Sequence, residues 1–168
     1  CAKDEEVFTG NIMGKITDAT SDVWIPIHMN HMYVSEAYRV WHGEPFKEGY
    51  LQAPVNTDHF DLHGQGPTTD TKYKPLELIP GLNVGGYFDA GDFDIETGSN
   101  INVVQNFVSI WELFKPLRDM TFVDEDQRYV ELHRPDGIPD ILQFIEHGTL
   151  NLLAQAENIG HMSQTLSN

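Results

Sequence analysis

Cysteine is all but missing from this chain. Cys1 is the single one, so no disulfide can close within the sequence, and a lone thiol says little about redox compartment. Basic residues are scarce as well: 10 lysines and arginines stand against 26 aspartates and glutamates, for a net charge of −16. A field of that sign repels phosphate backbones and anionic lipid surfaces, which argues against nucleic-acid binding and suits a neutral substrate or a cation. No apolar run approaches the roughly 20 residues that a membrane-spanning helix requires, so no transmembrane segment is expected. Internal repeats and low-complexity tracts are lacking too, which leaves a plan of several helices joined by long loops.

What is present suits a folded domain. With 168 residues, 40% of them hydrophobic and 11% aromatic, the chain can bury one core and does not have the composition of a disordered segment. Residues 1–23 mix acidic, Gly and Thr positions with short apolar runs and read as an irregular lead-in. From Trp24 to Trp41, Met29, Met32, Tyr33, Ala37, Val40 and Trp41 recur at helical intervals, which predicts a helix ended near Gly43 and Pro45. His28 and His31 are spaced i, i+3 within it, with His42 just beyond. That spacing suits a metal, but no HExxH or Cys-His pattern accompanies it, so packing or surface roles are favoured.

From Glu44 to Gly85 the chain is dense in Pro, Gly, Thr, Asn and Asp and reads as a long loop region. Loops of that length inside a compact domain tend to be functional or mobile, and the polar and aromatic content here favours function. Asn56, Asp58, His59, Asp61, His63, Gln65 and Tyr73 carry the donors, acceptors and ring faces that sugars require, His59 and His63 above all. The plainer alternative is that these groups satisfy one another across a surface loop.

A second helix is expected at about 100–117, where Ile101, Val104, Phe107, Val108, Trp111 and Phe114 form one apolar stripe read as core. Residues 119–134, with Asp124-Glu125-Asp126, read as a solvated face or turn. A third helix is expected at about 138–156, with Asp136 in an N-cap-like position and Asp140 at the positive end of the helix dipole. Ile138, Ile141, Leu142, Ile145, Leu152 and Leu153 are expected to supply its buried side. Gly148 marks a weak point or a close helix contact. The fold class expected from these elements is all-α.

The stretch that concentrates chemistry is Gly85-Gly86-Tyr87-Phe88-Asp89-Ala90-Gly91-Asp92-Phe93-Asp94. Asp89 and Asp92 stand three residues apart, which puts two carboxylates on one side of a turn, able to share a water molecule or a cation. The glycines allow close backbone approach, and Tyr87, Phe88 and Phe93 offer rings to wall a site or stack on a sugar.

The run GGYFDAGDF resembles the motif that carries the catalytic base in glycoside hydrolase family 9, the endoglucanase-type inverting enzymes. A second block, Arg134-Pro135-Asp136-Gly137-Ile138-Pro139-Asp140-Ile141-Leu142, resembles the helix-opening segment that follows in the same family. The likeness extends from about Trp24 to the C-terminus, and only these two blocks are specific. It implies that 24–168 is the N-terminal part of a catalytic domain and belongs to an (α/α)6 barrel, the six-hairpin toroid. It further implies Asp92 as general base, Asp89 as its partner in holding water, and Tyr87, Phe88, His59 and His63 as substrate-binding residues.

The implied substrate is a β-1,4-linked glucan or a decorated relative such as xyloglucan or mixed-linkage glucan, with no cofactor required. The implied location is secreted, periplasmic or cell-surface. A chain opening on Cys1 is compatible with the lipid-bearing cysteine of a processed lipoprotein and equally with an arbitrary start.

An inverting enzyme also needs an opposed acid about 6.5–9.5 Å from the base. In the family this is a Glu far toward the C-terminal end of a longer domain. Glu146 and Glu157 lie in no matching motif, so the chain alone is expected to be inactive and to need the remainder of that domain. Tyr87-Phe88 also departs from the Trp-Tyr often found there.

Two other readings stand beside this one. The first is a carbohydrate-binding relative without catalysis. The second is a structural calcium site at Asp92, Asp94 and Glu96, although loop positions six and twelve of an EF-hand counted from Asp92 fall on Thr97 and Val103, where Gly and Glu are needed.

Overall fold

A computed structural model describes residues 25–34, 40–41, 51–52, 72–73, 79–88, 95–163 and 165–167. In chain order the elements are α1 (Ile25–Ile27), β1 (Tyr33–Val34), β2 (Val40–Trp41), β3 (Leu51–Gln52) and β4 (Ile95–Glu96). They are followed by α2 (Thr97–Phe114), β5 (Thr121–Asp124), β6 (Tyr129–Leu132), α3 (Asp140–Asn158) and β7 (Thr165–Ser167). The architecture is mixed α/β, and the all-α expectation, with its helical barrel, is overturned. One sheet has four strands in the order β2-β1-β6-β5, and a second has three in the order β3-β7-β4.

The correction begins where a first long helix was expected. Among the described residues there, only Ile25–Ile27 is helical. Met29 then bridges to Tyr87 in antiparallel fashion, and His31 takes a positive φ of 64°, which breaks helical geometry. Tyr33 and Val34 pair in parallel with Tyr129 and Val130 and antiparallel with Trp41 and Val40. β-Branched and aromatic side chains suit a pleated, half-buried surface, and pairing with distant strands overrides the local helical spacing.

The charged run 119–134 is also more ordered than a solvated face. Thr121–Asp124 and Tyr129–Leu132 form an antiparallel hairpin in the register Thr121 to Leu132 through Asp124 to Tyr129. Val130 and Leu132 point into the core while Tyr129 and Glu131 are half-buried, the alternation that a strand produces. The turn is closed by the Gln127 N–H donating to the Asp124 carboxylate at 2.8 Å, with Arg128 in the left-handed region at φ 55°.

The two long helices lie within three residues of their expected bounds. α2 ends as Lys115 turns left-handed at φ 48° and its N–H returns to the Trp111 carbonyl. Of its expected core stripe, Phe107 packs against Tyr87 and Phe144, whereas Phe114 is 54% exposed.

α3 turns a different side inward from the one its hydropathy suggests. Asp140, Gln143, Phe144, His147, Gly148, Asn151, Ala154 and Gln155 are buried, while Ile138 and Leu153 are 47% and 53% exposed. The inward face is polar because its side chains satisfy backbone groups and one another. The Asn151 amide donates to the Val84 carbonyl at 3.3 Å, and Gln155 receives the Ser163 N–H at 2.8 Å and donates to Asn151. Burying polar groups is tolerable when each finds a partner.

The Arg134–Leu142 block is a set of backbone staples. Pro139 stands at the N-cap, and Asp136 does not cap the helix. Asp136 instead receives the Ile138 N–H at 2.9 Å and the Gln143 amide at 2.7 Å. The buried Asp140 carboxylate accepts the Met120 and Thr121 N–H groups, each at 2.9 Å. Asp140 thereby ties the start of α3 to β5, and Asp119 ties it further by receiving the Asp136 and Gly137 N–H groups.

Two apolar clusters each take one buried residue from α3, Phe144 and Ala154. Met29, Met32, Val34, Tyr87, Val130, Leu132 and Phe144 form the first, and Ile79, Leu82, Ile95, Ala154 and Leu166 the second. α2 and α3 approach closely at Gly148, where an added Cβ would run into the Val104 Cγ2 methyl and come within 3.1 Å of the Tyr87 ring. Val104 is β-branched and cannot swing away cheaply.

We therefore expect Gly148→Ala to destabilise by about 1–3 kcal/mol through overpacking, partly offset by alanine's better helix propensity of about 1 kcal/mol. Gly98→Ala, in the same helix pair but with nothing within 4 Å, should instead stabilise by about 0.5–1 kcal/mol. Thermal melts of the two variants should move in opposite directions, and a shift of both the same way would refute this packing.

Candidate functional site

The candidate site is reached through Gly85-Gly86-Tyr87-Phe88, a segment threaded between α3 and the N-terminal strand region. Gly85 has φ 62° and a Cβ there would fall on the His147 carbonyl oxygen. Gly86 has φ 85° and a Cβ there would lie 2.6 Å from Ile95 Cδ1. Only glycine meets both the backbone angles and the space at these two positions.

Hydrogen bonds hold the segment from two sides. On the α3 side, the Gly86 N–H donates to the His147 carbonyl at 2.9 Å. On the other, the Asn30 N–H donates to the Gly86 carbonyl at 2.8 Å and the Phe88 N–H to the His28 carbonyl at 3.1 Å. Asn100, buried on α2, accepts the Tyr87 N–H at 3.3 Å and donates to the Gly148 carbonyl at 3.1 Å, so one amide joins the segment to both helices.

Tyr87 is buried, 6% exposed, with its hydroxyl donating to the Phe144 carbonyl at 2.7 Å. Its ring meets Phe107 and His147 edge-on, with centroids 6.2 and 5.3 Å away. Its ring is therefore part of the apolar core cluster that holds Met29 and Phe144. Burial, followed by the nearby Glu125 charge, pushes the Tyr87 phenol well above its ordinary pKa. Phe88 is half-buried and stacks on His28 with centroids 4.6 Å apart. The imidazole of His28 thus serves as an aromatic neighbour, in keeping with the packing role favoured for it.

Asp89, Asp92 and Asp94, together with His59 and His63, lie outside the described residues. Among the described residues no three His, Cys, Asp or Glu side chains converge as a metal-binding group. No helix among them is long and apolar enough to cross a membrane. Glu146 and Glu157 are both exposed on α3.

Sequence reasoning missed His147, Glu125, Asn100 and Asn151. His147 is fully buried, with Nδ1 at 2.7 Å from Glu125 Oε1 and Nε2 at 2.8 Å from the Gly86 carbonyl oxygen. The legible signal was a polar ladder, His147, Asn151 and Gln155, at i+4 steps beside Gly148 in the middle of a helix. Glu125 carried no signal, because only the hairpin brings it to α3. Comparison of the chain with protein-family models, with curated proteins and with solved structures finds no match.

The raised Tyr87 pKa has a pH consequence. The folded-state value lies above that of the unfolded chain, so the stability it contributes is complete below about pH 10 and is lost as the pH rises beyond it. In an alkaline absorbance titration we expect the Tyr87 phenolate signal to arise only together with unfolding and to vanish in Tyr87→Phe. That variant should also lose about 0.5–1.5 kcal/mol with the missing hydrogen bond. Ionisation of Tyr87 in the still-folded protein would contradict the burial.

Proposed function

We propose that this chain carries the water-activating side of an inverting glycoside hydrolase of family 9 type, acting on a β-1,4-linked glucan. The observation that carries the reading is that the start of the first resembling block packs on the helix that the second one opens. The Gly85-Gly86 turn rests on the helix opened by Pro139-Asp140, through the Gly86 N–H bond to His147 and the Tyr87 hydroxyl bond to Phe144. These segments lie far apart in sequence, and their contact fixes the backbone up to Phe88.

In this reading Asp92, ionised, deprotonates a water molecule, and Asp89 helps to hold that water against one face of the anomeric carbon. A protonated carboxylic acid on the opposite face, about 6.5–9.5 Å away, delivers its proton to the leaving oxygen. That acid belongs to the remainder of the catalytic domain. The Phe88 ring, stacked on His28 one residue before Asp89, offers an aromatic face to the sugar, and His59 and His63 contribute sugar contacts. The overall charge of −16 suits an uncharged polysaccharide.

The test is hydrolysis of a soluble β-1,4-glucan by the intact hydrolase, with the anomer of the first product read by NMR. Inversion yields the α-anomer, and Asp92→Asn should lower kcat by roughly 10²–10⁴-fold while leaving the fold intact. Binding of the glucan with no hydrolysis by the intact protein would point instead to the non-catalytic carbohydrate-binding relative.

A further inference from the structure

Two oxygens buried in the seam between β5 and α3, the Thr121 hydroxyl and the Gln143 side-chain carbonyl, have no hydrogen-bond partner among the described residues. Thr121 is 0% and Gln143 5% exposed, so bulk solvent reaches neither. On the same buried face of α3, Asp140, His147, Asn151 and Gln155 are all bonded. An unmatched buried oxygen costs more than a made bond contributes, which makes these two exceptions informative.

Neither oxygen gains a partner by turning. The Gln143 amide donates to the Asp136 carboxylate at 2.7 Å, and reversing it would set its oxygen against that carboxylate, acceptor to acceptor. The Thr121 side chain is β-branched and stiff, and its hydroxyl hydrogen, free to rotate, meets no acceptor within reach.

Asp140 brings the two together. Its carboxylate accepts the Thr121 N–H at 2.9 Å, and Gln143 stands three residues further along the same helix face. Helix side chains lean toward the N-terminus, which carries the Gln143 amide back past Asp140 to Asp136. Both oxygens therefore flank the Asp140 carboxylate, yet they do not bond each other. Polar groups so placed are the setting in which a water molecule bridges.

A cation is the other occupant that oxygens attract. The nearby carboxylates are engaged with backbone N–H groups: Asp119 with those of Asp136 and Gly137, Asp136 with that of Ile138, Asp140 with those of Met120 and Thr121. Among the described residues no three acidic or histidine side chains converge on one point. The chemistry favours a neutral ligand.

We infer that one water molecule is built into this seam as a structural ligand, accepting the Thr121 hydroxyl hydrogen and donating to the Gln143 carbonyl oxygen. Its second hydrogen is left for the Asp140 carboxylate, giving the three bonds typical of a buried water. The molecule completes the joint between the hairpin and the opening of α3, and it stands independently of the hydrolase reading.

Thr121→Val tests it in the full chain, because valine keeps the branched shape and the strand preference and removes the hydroxyl. Loss of a bond to water should lower the melting temperature by about 2–4 °C. An unmatched hydroxyl would give the opposite sign, and a rise in melting temperature would overturn the site. Gln143→Leu releases the same water, so the double variant should lose less than the sum of the two single losses, and strict additivity would refute a shared molecule. In water-selective NOE spectra the Thr121 methyl should show a cross-peak to a long-lived water that disappears in Gln143→Leu; its absence from the wild type would also overturn the inference. A rise in melting temperature with added sodium or calcium chloride that Thr121→Val abolishes would put a cation there in place of water.

Discussion

The structure depends on one close approach, that of the Gly85-Gly86 backbone to α3. Two adjacent glycines with positive φ lie against the His147 carbonyl and the Ile95 side chain, and almost every other feature of the site follows from that contact. Because the backbone runs so near the helix, α3 needs a small residue at Gly148, polar groups that can bond a passing chain, and a neighbouring helix close enough for Asn100 to reach both. A residue with a side chain at either glycine would push the segment outward and leave Asn151, Asn100 and His147 facing empty space. Buried polar groups in that condition cost more than the bonds contribute when made.

The acidic excess of the chain has a structural use as well as an electrostatic one. Asp119, Asp124, Asp136 and Asp140 each receive backbone N–H groups. Together they turn the Arg134–Leu142 block and the hairpin into a unit in which carboxylates take the place of missing backbone partners. Such bonds are charge-assisted and stronger than neutral ones. Asp140 is the most committed of them, since it holds two successive N–H groups of the β5 approach while its own backbone N–H donates to the Arg118 carbonyl at 2.9 Å.

The sequence made some of this legible. α2 and α3 could be placed within three residues of their bounds, because long periodic segments with distinct stops depend mainly on local chemistry. The pivotal role of Gly85 and Gly86 could also be read, since paired glycines beside aromatics signal a backbone that must pass closely. The strands could not. Tyr33-Val34 is too short to show alternation, and Tyr129–Leu132 was masked by the acidic turn before it. Hydropathy chose the wrong face of α3 because the inward face is defined by what Gln143, His147, Asn151 and Gln155 bond, and those partners lie in remote parts of the chain. Glu125 is the extreme case, being an ordinary turn residue until the hairpin delivers it to His147.

The parallel pairing of Tyr33-Val34 with Tyr129-Val130 has a further consequence, for the order of assembly. The hairpin and the two helices are built from near neighbours and can form early. The N-terminal strand must search across most of the chain before it docks, which is a slow step for entropic reasons. During that wait the outer edge of Tyr129–Leu132 stands unpaired, and Val130 and Leu132 lack the cover of Met29, Met32 and Val34. That is the interval in which a half-assembled chain is most open to wrong strand pairing.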